Sequence, residues 1–237
     1  MKSLPASAQA GEQPRPEETR LPPLVNGERL DQKTFHARYE AMPKHVRAEL
    51  IGGIVHMPSP LKFPHARMHG RVMHWLCEYE DATPGTEVYD NATAILGEES
   101  EPQPDAYLII SPEKGGQTRM NEEEYLEGAP ELIVEVALSS EPVDLHAKKD
   151  DYEGAGAREY MVIALRQNRV FWFVSRNGRF EELAPGSEGI YRSEVFPGLW
   201  LDPAALLRRD AARIREVLQQ GLASPEHTAF VAQLAAR

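Results

Sequence analysis

Two carboxylates stand in apolar runs where an unpaired charge is out of place. Asp105 follows Pro104 and opens Ala106-Tyr107-Leu108-Ile109-Ile110, and Glu135 lies inside Leu132-Ile133-Val134-Glu135-Val136. Each run is short, rich in Ile, Leu and Val, and bounded by Pro, Gly or Ser, which predicts a buried strand. An ionised carboxylate there costs several kcal/mol unless a cation or hydrogen-bond donors compensate it. Asp105 and Glu135 therefore need a partner, and a divalent metal ion is a natural one. Alternation along 131–137 places Ile133 and Glu135 on one strand face and Leu132, Val134 and Val136 on the other. Downstream, Asp144, Lys148 and Tyr152 recur every four residues in a helix-like run and so share a helix face. On these residues alone, Lys148 either serves the acids or forms an exposed ion pair with Asp144.

The histidines offer a weaker signal. His65 and His69 are four apart on a predicted helix, a spacing that can bind zinc, but Ala66 stands where a zinc-protease helix carries its Glu. His56, His74 and His146 read as structural or solvent-facing. The single cysteine, Cys77, excludes an internal disulfide framework and a Cys-rich zinc site and fits a reducing compartment.

The elements that must position these groups follow in chain order. Residues 1–24 carry five prolines among polar residues and read as a flexible leader. A short helix capped by Asp31 is predicted before Pro43, then a hairpin over Gly52-Gly53 with Glu49 on its first arm. A long helix spans 63–81, with Met68, Val72, Trp75, Leu76 and Tyr79 at three- and four-residue steps. A strand over 88–96 precedes the Asp105 strand. Residues 111–128 read as a polar connection with one helical turn, and 142–154 as a helix stopped by Gly154 or Gly156. Strands at 159–165, 169–175 and 179–183, a helix over 203–220 and an amphipathic tail over 222–237 complete the chain.

With 237 residues, 41% hydrophobic and 27% charged, the chain can build one sizeable core with appendages, here placed at 25–221. No apolar run approaches the roughly 20 residues that span a bilayer, and the start lacks a convincing signal peptide, so a soluble cytoplasmic protein is expected. A formal charge of −11 argues against nonspecific nucleic-acid binding over the whole surface and leaves a local basic groove as the route to nucleic acid.

Glu49-Leu50-Ile51-Gly52-Gly53, Ser59-Pro60 followed by His65, Pro104-Asp105, Leu132 to Val136, Asp144 with Lys148 and Tyr152, Arg158-Glu159-Tyr160 and Val195-Phe196-Pro197-Gly198-Leu199 occur in one order. In that order and spacing, over about 30–207, the chain resembles the Uma2 family of the PD-(D/E)xK nuclease superfamily. The resemblance implies an α/β, restriction-endonuclease-like core: a central mixed β-sheet flanked by helices, with an added antiparallel β region. It implies Mg²⁺- or Mn²⁺-dependent hydrolysis of DNA phosphodiesters, with Asp105, Glu135 and the carbonyl of Val136 as metal ligands. The superfamily's basic pattern has a lysine two residues after the second acid, where this chain has Ala137. In the Uma2 pattern the lysine sits on the next helix, matching Lys148 and not Lys149, and would orient or help deprotonate the attacking water. Glu49 would bind a second metal or a metal-bound water, and His65 would contact substrate phosphate or support the ligands. A non-cleaving regulatory protein on the same fold and a hydrolase of smaller phosphate esters are the rival readings. The resemblance also implies a homodimer, for which the aromatic strand Phe171-Trp172-Phe173 offers an apolar surface.

Overall fold

The computed structural model describes residues 21–58 and 60–237, so the predicted leader and Ser59 lie largely or wholly outside the described residues. In chain order the elements are α1 (Gln32–Glu40), β1 (Glu49–Ile51), β2 (Ile54–His56), α2 (Phe63–Ala82), β3 (Thr86–Asp90), β4 (Ala94–Ile95) and β5 (Ala106–Ile110). Next come β6 (Arg119–Met120), β7 (Leu126–Glu127), β8 (Leu132–Ala137), α3 (Lys148–Ala155), β9 (Glu159–Ala164), β10 (Arg169–Arg176) and β11 (Arg179–Glu182). The last are β12 (Tyr191–Arg192), β13 (Trp200–Leu201), α4 (Pro203–Arg208), α5 (Ala211–Leu222) and α6 (Pro225–Ala235).

The two acid-bearing runs form neighbouring central strands. The main sheet has the order β11-β10-β9-β8-β5-β3, mixed because β8 and β9 run parallel while the other pairs are antiparallel. β5, β8 and β9 are buried along their whole length, which is why they read as near-continuous apolar runs. Alternation divides them as expected. Leu132, Val134 and Val136 join Met68, Val72, Trp75 and Leu76 of α2 in one core, and Ile133 and Ala137 join Tyr152 of α3 and Tyr160 in the other. Glu135 thus faces α3.

The hairpin of β1 and β2 closes over Gly52 and Gly53 at φ +55° and +74°. Both lie in the left-handed region that a two-residue hairpin of this hand requires, and glycine enters it without steric cost. α1 is capped by Asp31, whose carboxylate accepts from the Thr34 amide at 2.9 Å. The helix before β9 opens as a π-helical turn at Val143–Ala147, continues as α3 and ends at Gly156, φ +90°.

Four expectations are corrected. The strand predicted over 88–96 is two strands in different sheets, broken where Asn91 takes φ +50°. The connection 111–128 holds a 3₁₀ turn at Pro112–Lys114, but also β6 and β7, which join β4 in a three-stranded sheet. The helix predicted over 203–220 is interrupted by Arg209 at φ +59°, after which Asp210 caps α5 through the Arg213 amide. The aromatic strand lies largely inside: Trp172 packs edge-on against Trp75, and Phe173 packs among Tyr160 and Phe180, so β10 presents no open apolar face. At the end of the chain, α6 puts Phe230 and Leu234 into the main core. No helix among the described residues is long and apolar enough to cross a membrane.

Glu159, at the head of β9, is fully buried and pins the 193–196 loop. It accepts from the Ser193 hydroxyl at 2.7 Å, the Glu194 amide at 2.7 Å, the Val195 amide at 3.2 Å and the Trp172 indole at 3.3 Å. Desolvation pushes its carboxyl up to about 7. A carboxyl raised on folding holds a proton that the unfolded chain releases, so stability should fall as pH rises from about 4.5 to 7. Glu159→Gln should lower overall stability, because one acceptor oxygen is lost, and flatten that slope. Urea denaturation of both proteins across the window checks this, and equal slopes would contradict it.

Candidate active site

The folded chain brings Glu49, His65, Asp105, Glu135, Val136 and Lys148 together at the ends of β1, α2, β5, β8 and α3. Lys148 is the link. Its Nζ donates to Glu49 Oε1 and to Glu135 Oε1, each at 2.9 Å, with only 7% of its side chain exposed. It is therefore neither a surface lysine nor the partner of Asp144. Lys149 points elsewhere, its Nζ 4.9 Å from the Phe173 ring centroid.

Each acid is held by more than this cation. Glu135 Oε1 also accepts from the Tyr152 hydroxyl at 2.8 Å, and Glu49 Oε1 from the Gln103 amide at 2.8 Å. Asp105 Oδ2 accepts the Val136 amide at 2.7 Å and faces His65 Nε2 at 3.1 Å. His69 approaches the Asp105 carbonyl at 2.8 Å, so the two histidines straddle Asp105 through its carboxylate and its carbonyl and do not converge as a zinc pair. His65 Nδ1 is buried without a hydrogen-bond partner among the described residues.

The electrostatics follow from burial and an excess of carboxylates. Burial pushes Glu135 well above the usual carboxyl range, with Lys148 pulling the other way and Asp105, Asp144 and Glu49 adding to the rise. Burial works against the Lys148 ammonium, but the charges of Glu135, Glu49 and Asp144 outweigh it and hold its pKa well above that of a free lysine. Asp144, chiefly desolvated, is pushed up to about 6. Burial acts to raise Asp105 too, yet the His65 hydrogen bond and charge, the Val136 amide and Lys148 hold it below the usual range. Four acids share one lysine, so the ammonium form of Lys148 is favoured while burial and the neighbouring acids disfavour the ionised form of Glu135. A dication bound here would favour the ionised form of the acids that hold it.

No set of three or more His, Cys, Asp or Glu side chains converges as a ready metal centre among the described residues. Mg²⁺ asks for less, since it keeps several waters and is bound through one or two carboxylates. The oxygens left over meet that need. Asp105 Oδ1 accepts no hydrogen bond among the described residues, and Glu135 Oε2 has only the Asp105 amide at 3.5 Å. These hard anionic donors fit Mg²⁺ or Mn²⁺.

Sequence reasoning did not assign roles to Tyr152, Gln103 and His69. Tyr152 carried a signal, standing one helical turn after Lys148. Gln103 acts through its backbone amide, which its side-chain type cannot announce. The two charges of the central pair should respond oppositely to removal. Lys148→Ala strands buried carboxylates and should cost about 3 kcal/mol, whereas Glu135→Gln leaves the Lys148–Glu49 pair intact and should be neutral or stabilising. Chemical denaturation at neutral pH checks both. Equal losses would contradict the excess of negative charge.

Residues 34–204 match the family model described as "Uma2: Putative restriction endonuclease". Among solved structures, the chain is similar to one titled as a "putative nuclease belonging to DUF820" from Anabaena variabilis ATCC 29413. The TM-score is 0.57 at 14% identity, covering 72% of this chain and 97% of that one. No curated protein matches. The likeness to that structure shows a nuclease-like fold, the family match supports nuclease function in general, and the chain belongs to the Uma2 family.

Proposed function

We propose that this protein is an endonuclease that hydrolyses phosphodiester bonds of DNA with Mg²⁺ or Mn²⁺ held by Asp105, Glu135 and the carbonyl of Val136. The observation that carries the reading is a buried ammonium fixed beside two carboxylates that retain free oxygens. When bound, the ion supplies Lewis-acid neutralisation of phosphate charge. Lys148 uses two of its three N–H donors on Glu49 and Glu135, leaving one for a phosphoryl oxygen or the attacking water. Because its pKa is raised, it acts as a cation and donor, not as the base. Glu49 Oε2 accepts no hydrogen bond among the described residues and is free to orient the water. His65 orients Asp105 through Nε2, and Tyr152 holds Glu135.

The predicted setting is the cytoplasm, where Cys77 stays reduced. A homodimer, as the family resemblance implies, would use a face other than β10. Plasmid DNA should be nicked in Mg²⁺, while small phosphate esters should be untouched. Glu135→Gln should abolish nicking and also the rise in melting temperature that Mg²⁺ gives the wild type. Lys148→Gln, which keeps donors to both acids, should lose a factor of about 10² to 10³ in rate while retaining the Mg²⁺ shift, and Lys149→Ala should be nearly silent. A Mg²⁺ shift of equal size in Glu135→Gln would remove Glu135 from the metal site.

A further inference from the structure

Between Ala41 and Cys77 the chain carries Lys44, Arg47, Lys62, Arg67 and Arg71 against a single acid, Glu49, which is buried in the site. In a chain of formal charge −11, that makes the segment leading from the Glu49 hairpin into α2 a local basic surface. Elsewhere the arginines are mostly committed: Arg38, Arg119, Arg169, Arg176, Arg179 and Arg213 all pair with carboxylates. Lys62, Arg67 and Arg71 form no ion pair among the described residues. Their charge is unspent.

The same segment carries the most exposed large apolar side chain among the described residues, Phe63, and a second exposed one, Leu61. Phe63 is 79% exposed and Leu61 65%. A phenylalanine so exposed at the first turn of a 20-residue helix contributes little to the fold. Phe63, Arg67 and Arg71 are successive i, i+4 neighbours, so an aromatic ring and two guanidiniums line one face of α2. His65, two residues after Phe63 and so about 160° away around the helix, reaches Asp105, which puts the site round the N-terminal turn of α2 from this face. A ring for a base and cations for the phosphates that flank it is the arrangement that holds a nucleic-acid strand without reading its sequence. A protein partner would also fill an apolar tip, but unpaired cations along the same face favour a polyanion.

We propose that the Phe63–Arg67–Arg71 face of α2, with Lys62, holds a DNA strand that passes round the N-terminal turn of α2 to the site, Phe63 stacking on an unpaired base while the cations meet its phosphates. This rests on the nuclease reading above and adds to it the strand-binding element and a preference for unpaired bases. Lys62, Phe63 and Arg67 are exposed and Arg71 is half-buried, and none belongs to a core cluster, so their replacement should leave the fold intact.

The test uses the full chain and a short fluorescein-labelled single-stranded DNA, followed by anisotropy over a range of salt concentrations. Phe63→Ala should weaken binding about tenfold, Phe63→Trp should retain wild-type affinity, and Phe63→Leu should behave like Phe63→Ala. The double variant Arg67→Ala/Arg71→Ala should reduce the slope of log affinity against log salt by about 1.4, since each phosphate contact on a single strand contributes about 0.7. Wild-type affinity in Phe63→Leu would overturn stacking. A change in sedimentation mass on Phe63→Ala with unchanged DNA affinity would make the face a contact between copies. If the wild type nicks plasmid and these variants bind and cut as it does, this inference alone fails. If the wild type neither binds nor cuts DNA, the nuclease reading fails with it.

Discussion

A lysine ammonium buried between two carboxylates is the constraint on which the site depends. Lys148 and Glu49 are 99 residues apart in sequence and Lys148 and Glu135 are 13 apart, yet one Nζ reaches both acids at 2.9 Å. Burying such a set is costly unless every member is paired, because a lone charge in this interior would lose several kcal/mol of hydration. The hairpin, the central strand and α3 must therefore stay in register with one another. Asp151, one turn beyond Lys148, helps: it accepts from Ser100, whose neighbour Glu101 pairs with Leu50 through both backbone hydrogen bonds. The hairpin that carries Glu49 is thus tied to the helix that carries Lys148.

Much of this was legible in the sequence, because an acid in an apolar strand is a local anomaly that alternation places on a definite face. Asp105, Glu135 and the helix face of Lys148 and Tyr152 could be found that way, and the glycine pair marked the hairpin of Glu49. Features that depend on distant partners were not legible. The aromatic strand β10 looked open because Trp75, Tyr191 and Phe180, which cover its rings, come from elsewhere in the chain. The breaks at Asn91 and Arg209 both rest on left-handed residues; asparagine favours that region and so gave a weak signal, whereas nothing in the residue type marks Arg209.

Charge shows the same limit. The net charge and the Glu122-Glu123-Glu124 cluster speak against a phosphate-bearing substrate when read as totals. In the fold that cluster sits in the turn between β6 and β7, where Glu123 faces His36 of α1 at 3.3 Å and Tyr125 meets Glu40. Lys62, Arg67 and Arg71, which make no ion pair among the described residues, lie at the start of α2, the helix whose His65 contacts Asp105. Distribution, not net charge, decides what a surface attracts.

The central claim is that Asp105 and Glu135 share a divalent ion beside the Lys148 ammonium. Anomalous diffraction from Mn²⁺-soaked crystals tests it most directly. The account predicts one peak at bonding distance from Asp105 Oδ1, Glu135 Oε2 and the Val136 carbonyl, with Lys148 Nζ close by but not coordinated. A peak at the histidines instead, or none between the two carboxylates at saturating Mn²⁺, would contradict it.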